Sequence, residues 1–263
     1  MESALFFDID GTLIDSYHGR REMARPVLAE LKRVQALGHK LFLSSGRPRN
    51  LLTPEVLAPG FDGLVLINGG YVEMGGTSVH EERMELDLAR QTVAFLEEIG
   101  AEYLIVTAQA TYTKRSNHGL RDFFWDGHGD IFEYDYDLDA VLPQAIKMEA
   151  LIDRADRPRV TALALERLGE AISCDGHGGE GTFELYPTAI SKARGISVVL
   201  DKLGIDVAHS FAFGDGTNDL EMIQYCGCGV AMGNADQEVK DAADIICPPV
   251  WDDGLVEVLR ELF

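Results

Sequence analysis

Ala4-Leu5-Phe6-Phe7-Asp8-Ile9-Asp10-Gly11-Thr12-Leu13 is the stretch that decides the fold. The apolar run from Ala4 to Phe7 predicts a short buried strand. It leads straight into two carboxylates, although an unpaired buried charge is costly. In an extended chain, residues at i and i+2 project to the same side, so Asp8 and Asp10 would share a face. Gly11 then lets the backbone turn away, and the Thr12 hydroxyl can tie the turn. Alone, the stretch fits both a strand closed by an Asp-Gly turn and a site built on a strand end.

The same pattern recurs downstream. Residues 22–37 carry Val27, Leu28, Leu31, Val34 and Leu37 at helical spacing, with Pro26 in the first turn and Gly38 at the end. Leu41 to Leu43 is a second apolar run, ending in Ser44-Ser45-Gly46-Arg47, and Pro48 predicts a further helix to about Leu57. Leu64 to Ile67 is a third run, ending in Asn68-Gly69-Gly70. Towards the other end, Ile190-Ser191-Lys192 opens a helix that runs to about Leu203. Ser210 to Phe213 then leads into Gly214-Asp215-Gly216-Thr217-Asn218-Asp219, and Gly229 to Met232 into Gly233-Asn234. Strands alternating with helices predict a parallel sheet covered by helices. In such sheets ligands bind beyond the carboxyl ends of the strands.

The middle of the chain breaks this rhythm. Tyr71–Glu73 and Thr77–His80 flank Met74-Gly75-Gly76 as a hairpin. Segments 87–99 and 158–168 read as helices, and 103–107, 111–115, 145–152, 171–174 and 182–186 as strands. Residues 116–138, rich in Gly, Asp, His and aromatics, read as one long irregular stretch. The expected class is therefore α/β: a Rossmann-like parallel core from residues 1–82 and 187–263, with an inserted α+β cap at 83–186.

Composition narrows the partners. The formal charge is -21, from 44 acidic against 23 basic residues. That field repels nucleic acid and anionic membranes, so neither is expected as a partner. It also repels an anionic substrate, unless the site is locally positive or holds a metal. No run of 18 apolar residues exists, so no membrane span is expected. Met1-Glu2-Ser3 lacks a basic leader, and a cytoplasmic location is expected. Cys174, Cys226, Cys228 and Cys247 lack metal-ligand spacing and are expected to be reduced and structural. Oligomeric state is not legible, because no apolar stripe stands out.

Five strand ends of one sheet thus carry Asp8 and Asp10, Ser44 and Ser45, Asn68, Asp215 with Asn218 and Asp219, and Asn234. Any single tip suits a helix cap. Together they suit phosphoryl transfer with Mg²⁺, a hard cation that takes carboxylate, water and phosphate oxygens. Asp8 and Asp215 can supply carboxylates, and Asp10 its backbone carbonyl. The serine hydroxyls, the Gly46 amide and the Lys192 ammonium can hold phosphate oxygens.

This ordered set resembles the haloacid dehalogenase-like phosphatase superfamily, in its capped, Cof-type branch. Asp8-Ile9-Asp10-Gly11-Thr12 matches its Asp-x-Asp-Gly-Thr motif. Ser45, before Gly46-Arg47, takes the place of the usual Thr. Lys192 matches the Lys that precedes a helix, and Gly214 to Asp219 matches Gly-Asp-x-x-Asn-Asp. Asn68-Gly69-Gly70 and Ala231 to Ala235 look like further marks of the branch.

The resemblance implies that Asp8 attacks phosphorus and forms an aspartyl phosphate, with Asp10 as acid and base. It implies Mg²⁺ on Asp8, Asp10 and Asp215, and phosphate held by Ser44, Ser45, Gly46, Lys192 and Asn218. Arg47, Asn68, Asp219 and Asn234 are expected in support, Arg47 through a structural ion pair and Asn234 by organising the loops around the site. Asp219 suits an outer-shell metal group, a Lys192 partner or a plain first-turn helix acid. The implied function is a Mg²⁺-dependent phosphatase of small phosphorylated metabolites such as sugar phosphates. A phosphomutase and a non-catalytic sensor of phosphorylated ligands are the alternatives. In the cap, Lys114 and Arg115 could meet a second anionic group, and His118, His128 and His177 are expected as exposed loop histidines, with reach to a substrate as the alternative. Phe123-Phe124-Trp125 is expected to be cap core.

Overall fold

The computed structural model describes residues 2–124, 131–176 and 181–263. Trp125, His128 and His177 lie outside the described residues. The chain divides into two compact units, one of Met1–Arg47, Leu52–His80 and Ser191–Phe263, the other of Pro48–Leu51 and Glu81–Ile190.

In the first unit, β1 (Ala4–Phe7), β2 (Lys40–Ser44) and β3 (Gly63–Leu66) are parallel neighbours. β4 (Tyr71–Met74) turns back antiparallel to β3, and β5 (Thr77–Glu81) lies beyond it. Gly75 and Gly76, at φ 56° and 78°, make the turn between them, a backbone region that glycine enters without steric cost. The chain then builds the second unit with β6 (Tyr103–Val106), β7 (Thr111–Thr113), β8 (Lys147–Leu151), β9 (Ile172–Asp175) and β10 (Thr182–Pro187). It returns for β11 (Ser210–Gly214), β12 (Cys228–Ala231) and β13 (Ile245–Ile246), giving the first sheet the order β13-β12-β11-β1-β2-β3-β4-β5.

Alternation along these strands sorts their side chains. Phe6, Phe42, Val65, Ala212 and Ala231 form a core with Ile196, Val199 and Leu200 of a long helix, residues 192–203. Each fully buried Phe, Val, Ile or Leu side chain among them contributes about 1.5–3 kcal/mol. Phe7 and Phe213 stack at 4.6 Å between their ring centres. β1, β2, β3, β11 and β12 run in one direction, so their carboxyl ends lie along one edge. That shared direction collects the polar strand tips.

The second unit is a five-stranded antiparallel sheet ordered β7-β6-β8-β10-β9. Helices at Leu86–Glu98 and Arg157–Leu168 pack on one face through Val93, Leu96, Val160 and Ala164. From the other face come Lys147, Glu149 and Glu184, all buried. Lys147 pairs with Glu184 and, at 3.3 Å, with Glu149. Burial alone would lower the Lys147 pKa, but the Glu184 and Glu149 charges raise it above the ordinary lysine value.

Three local expectations fail. The helix expected from Pro48 to about Leu57 is a single tight turn, Arg49–Leu51. Pro54 has no N–H to donate and disfavours helical geometry at Thr53. Residues 48–51 belong to the second unit, where the Asn50 amide donates to Ile131 O (3.0 Å) and accepts from Thr111 Oγ1 (3.1 Å). The stretch expected to be irregular, 116–138, contains a helix at His118–Phe124. Leu120 is buried there, and its N–H donates to the Glu102 carboxylate at 2.8 Å. The helix expected to begin at Glu22 starts at Arg25.

Candidate active site

β1 ends at Phe7, and the Asp8 N–H donates to Phe213 O at 2.9 Å. Asp8 and Asp10 therefore sit on the turn beyond the strand, where alternation no longer dictates facing. Asp8 is 6% exposed, whereas the Asp10 side chain is 42% exposed. Gly11, at φ 83°, makes the turn. A Cβ there would lie 2.1 Å from Asp215 Oδ2, so the loop and the Asp215 carboxylate meet only because that atom is missing.

Ser191 caps the helix that carries Lys192, accepting from Arg194 N at 3.3 Å. That helix lies hard against the β3 loop. Gly69 is at φ 97°, and a Cβ on it would sit 2.1 Å from Ser191 O. A Cβ on Gly195 would sit 2.9 Å from Gly69 Cα. The approach brings Lys192, 1% exposed, to Asp8 Oδ1 at 2.6 Å and Asp219 Oδ1 at 2.5 Å.

Asp219, fully buried, uses its other oxygen as a cap. Oδ2 accepts from Asp215 N at 2.9 Å and Gly216 N at 3.0 Å. Asp219 is thus the partner of Lys192 and the brace of the Asp215 loop. Asn234 donates to Gly11 O at 2.8 Å and Asp215 Oδ2 at 3.1 Å, and accepts from Val250 N at 2.8 Å. It joins three loops around one carboxylate. Thr12 Oγ1 donates to Asp215 Oδ1 at 3.3 Å.

The other tips are placed as follows. Ser44 is fully buried, and its hydroxyl has no hydrogen-bond partner among the described residues. Ser45 Oγ accepts from Arg47 N at 3.2 Å, and Ser45 O accepts from Asn68 N at 3.1 Å. Asn68 is buried with φ 54°. Gly46 and Asn218 are half-buried on their loops. The Arg47 guanidinium holds the Asp10 carboxylate with two bonds, of 2.8 and 2.7 Å. That pairing is invisible in the sequence, where the partners are 37 residues apart. The buried Lys147 group was also missed, although the charges in Lys147-Met148-Glu149 alternate onto one face. The cations picked out in the cap are both engaged, Lys114 with Glu97 at 2.7 Å and Arg115 with Asp135 at 2.6 Å. His118 is exposed. The four cysteines are free, and burial pushes the thiols of Cys226 and Cys247 up to about 12.

Electrostatically the site has one buried cation among several carboxylates. Burial, then the Asp219 charge, pushes the Asp8 carboxyl from 3.8 up to about 7 against the pull of Lys192. Lys192 is held above its ordinary value: burial opposes the charge, but Asp219 and Asp8 outweigh it. Carboxylate oxygens of Asp8, Asp215 and Asp219 lie within 4.8 Å of one another. An all-oxygen, anionic donor set beside one cation fits a hard divalent ion.

A raised carboxyl pKa means that the native state binds the proton more tightly than the unfolded chain. The stability it contributes is present below the unfolded value of 3.8 and is lost as pH rises through about 7. Without divalent ions, Asp8→Asn should therefore raise the melting temperature more at about pH 8 than at about pH 5. An equal shift at both pH values, in thermal melts with chelator present, would show that Asp8 carries no such burden.

A family model for haloacid dehalogenase-like hydrolases matches residues 5–259. YkrA of Bacillus subtilis is 32% identical over 278 residues, covering 100% of this chain and 98% of its own. YitU of the same organism, named a 5-amino-6-(5-phospho-D-ribitylamino)uracil phosphatase, is 26% identical over 97% of this chain and 96% of its own. A solved haloacid dehalogenase-like hydrolase from Bacteroides thetaiotaomicron is 26% identical, with a TM-score of 0.85 and 100% of both chains covered. The subclass IIB sugar phosphatase BT4131, 24% identical, shares the fold at a TM-score of 0.86, over 99% of this chain and 98% of its own.

Proposed function

We infer the reaction from one premise: this chain belongs to the haloacid dehalogenase-like hydrolase family and is a phosphatase. We propose that it hydrolyses small phosphorylated metabolites, sugar phosphates among them, through a phosphorylated Asp8. The observation that carries this reading is the buried Lys192 ammonium fixed between Asp8 and Asp219, with the Asp215 carboxylate beside them.

Lys192 holds Asp8 Oδ1, which leaves Oδ2 to attack. A bond forms from that oxygen to phosphorus as the bond to the leaving oxygen breaks, and Asp10 gives the leaving oxygen its proton. Water then attacks phosphorus, Asp10 takes the water proton, and Asp8 is released. Dividing one displacement into two is the gain of a covalent intermediate, and positioned proton transfer is worth about 10²–10⁴-fold. Lys192, the half-buried Gly46 and Asn218 on their separate loops, Ser44 and Ser45 are assigned to the phosphate oxygens.

Asp8, Asp215 and the Asp10 carbonyl would hold Mg²⁺, which neutralises charge between the phosphate and the nucleophile and lowers the pKa of Asp8. Asp219 is committed to Lys192 and two backbone N–H groups, so it serves the site from one step away. Asn234 and Thr12 orient Asp215.

Residues 83–186 are assigned the choice of substrate, since the core residues named above address only phosphate and metal. Among the described residues no helix is long and apolar enough to cross a membrane. We place the enzyme in the cytoplasm, acting on a freely diffusing substrate. The test is phosphate release from a panel of sugar phosphates and a generic aryl phosphate, with Mg²⁺ or with chelator. The expected result is turnover that chelator stops and Mg²⁺ restores. Turnover indifferent to chelator would refute the metal assignment, and silence across the panel the substrate class.

A further inference from the structure

Arg47 grips Asp10 through two N–H groups, Nε to Oδ2 at 2.8 Å and Nη2 to Oδ1 at 2.7 Å. A two-point guanidinium–carboxylate pair fixes the plane of the carboxylate as well as its place. Arg47 is itself held at both ends of its backbone. Its N–H donates to Ser45 Oγ, and its carbonyl accepts from Ile67 N, each at 3.2 Å. The clamp therefore has a rigid base.

A stabilising role explains this poorly. The side chains of Asp10 and Arg47 are 42% and 29% exposed, so solvent screens the pair and even its two-point geometry leaves a modest contribution to stability. Asp10 also needs holding. Its backbone is tied by a bridge to Ile14, but its side chain leaves a turn into solvent. Among the described residues, the Arg47 guanidinium is what orients the carboxyl.

We infer that Arg47 is a positioning residue, setting the Asp10 carboxyl where it meets the leaving-group oxygen. The inference rests on the reading of Asp10 as the acid and base. In the step concerned, the Asp10 proton passes to the leaving oxygen while the phosphorus–oxygen bond breaks, and Asp10 is left as a carboxylate. An alkyl phosphate needs that proton, because an alkoxide is a poor leaving group. An aryl phosphate with a well-stabilised aryloxide leaves without it.

The experiment measures the first, phosphoryl-transfer step by rapid quench for one alkyl and one aryl phosphate. Arg47→Met is expected to slow it about 10²-fold for the alkyl phosphate and less than about 3-fold for the aryl phosphate. Arg47→Lys should recover part of the alkyl rate, since it restores a charge without the two-point grip. Thermal melts establish that each variant is folded at the assay temperature, and Arg47→Lys keeps the test open if Arg47→Met is not. Equal slowing of both substrates, or of neither, with Asp10→Asn still showing the difference, would overturn the role of Arg47. An Asp10→Asn enzyme without the difference would instead overturn the reading of Asp10 beneath it.

Discussion

Asp8→Asn should abolish phosphate release, with turnover falling by about 10⁴-fold or more, the scale on which removal of a covalent nucleophile acts. The substitution keeps the size of the side chain and one oxygen for Lys192. It removes the anionic oxygen that would attack phosphorus, because an amide is a far weaker nucleophile. It would also weaken the candidate metal site, where carboxylate oxygens of Asp8 and Asp215 approach within 4.8 Å. Acid quenching followed by peptide mass spectrometry separates these effects. The native enzyme should show one phosphoryl group on the peptide containing Asp8, and Asp10→Asn should retain it because the second half-reaction needs a base. Asp8→Asn should show none. A phosphorylated peptide from Asp8→Asn, or turnover within tenfold of native, would sink the assignment of Asp8.

The second large effect is on stability and activity together. Lys192→Met removes the one charge that compensates Asp8 and Asp219, bonded at 2.6 and 2.5 Å and sealed from solvent. Breaking a buried pair from one side costs about 3–5 kcal/mol, because the remaining charge stays buried. Here two carboxylates are left. Lys192 stays charged up to and beyond its unfolded value of 10.5, so its contribution is intact at neutral pH and is lost only at higher pH. Denaturant unfolding near neutral pH should therefore show the full loss, and divalent cation should restore part of it.

Phosphoryl transfer should also slow by about 10²–10³-fold at a temperature where the variant stays folded. Lys192→Arg is a sharper probe. It keeps the charge, but the planar guanidinium is too large for a position only 1% exposed, so activity should stay low. A Lys192→Met enzyme with native stability and rate would refute both roles.

What could be read from the chain has a simple physical basis. Asp8, Ser45, Asn68, Asp215 and Asn234 each follow a short apolar run, and parallel strands bring their ends to one edge. Sequence order alone placed these residues near one another. It did not say which would touch. Asp219 was open between three roles, because its partner Lys192 is 27 positions away on another element. The structure gives it two of those surroundings at once, an ion pair on one oxygen and helix-turn N–H groups on the other. The bond from Arg47 to Asp10 depended on how one loop folds over another, which no spacing encodes.

Local misreadings have local causes. Pro54 lies inside the helix expected from Pro48 to about Leu57 and stops it after one turn. The helix at His118–Phe124 was hidden because one buried leucine and a carboxylate from 18 positions earlier hold it, in a stretch otherwise rich in turn formers. The Lys147 cluster is not legible from apolar content, because Lys147 and Glu149 alternate with the apolar residues that mark the strand.

The close approach of Gly69 to Gly195 has a bearing on how this enzyme would tolerate random mutation. Neither residue has a side chain to conserve or to react, and neither would be picked out in a search for chemical groups. Yet the spacing between two strips of backbone sets where Lys192 stands. A screen of variants for lost turnover should recover Gly69 and Gly195 among its strongest hits, in proteins that keep every reactive group. Such hits would report a tolerance of well under an ångström in the scaffold, and would mark where an engineer altering specificity should leave the backbone alone.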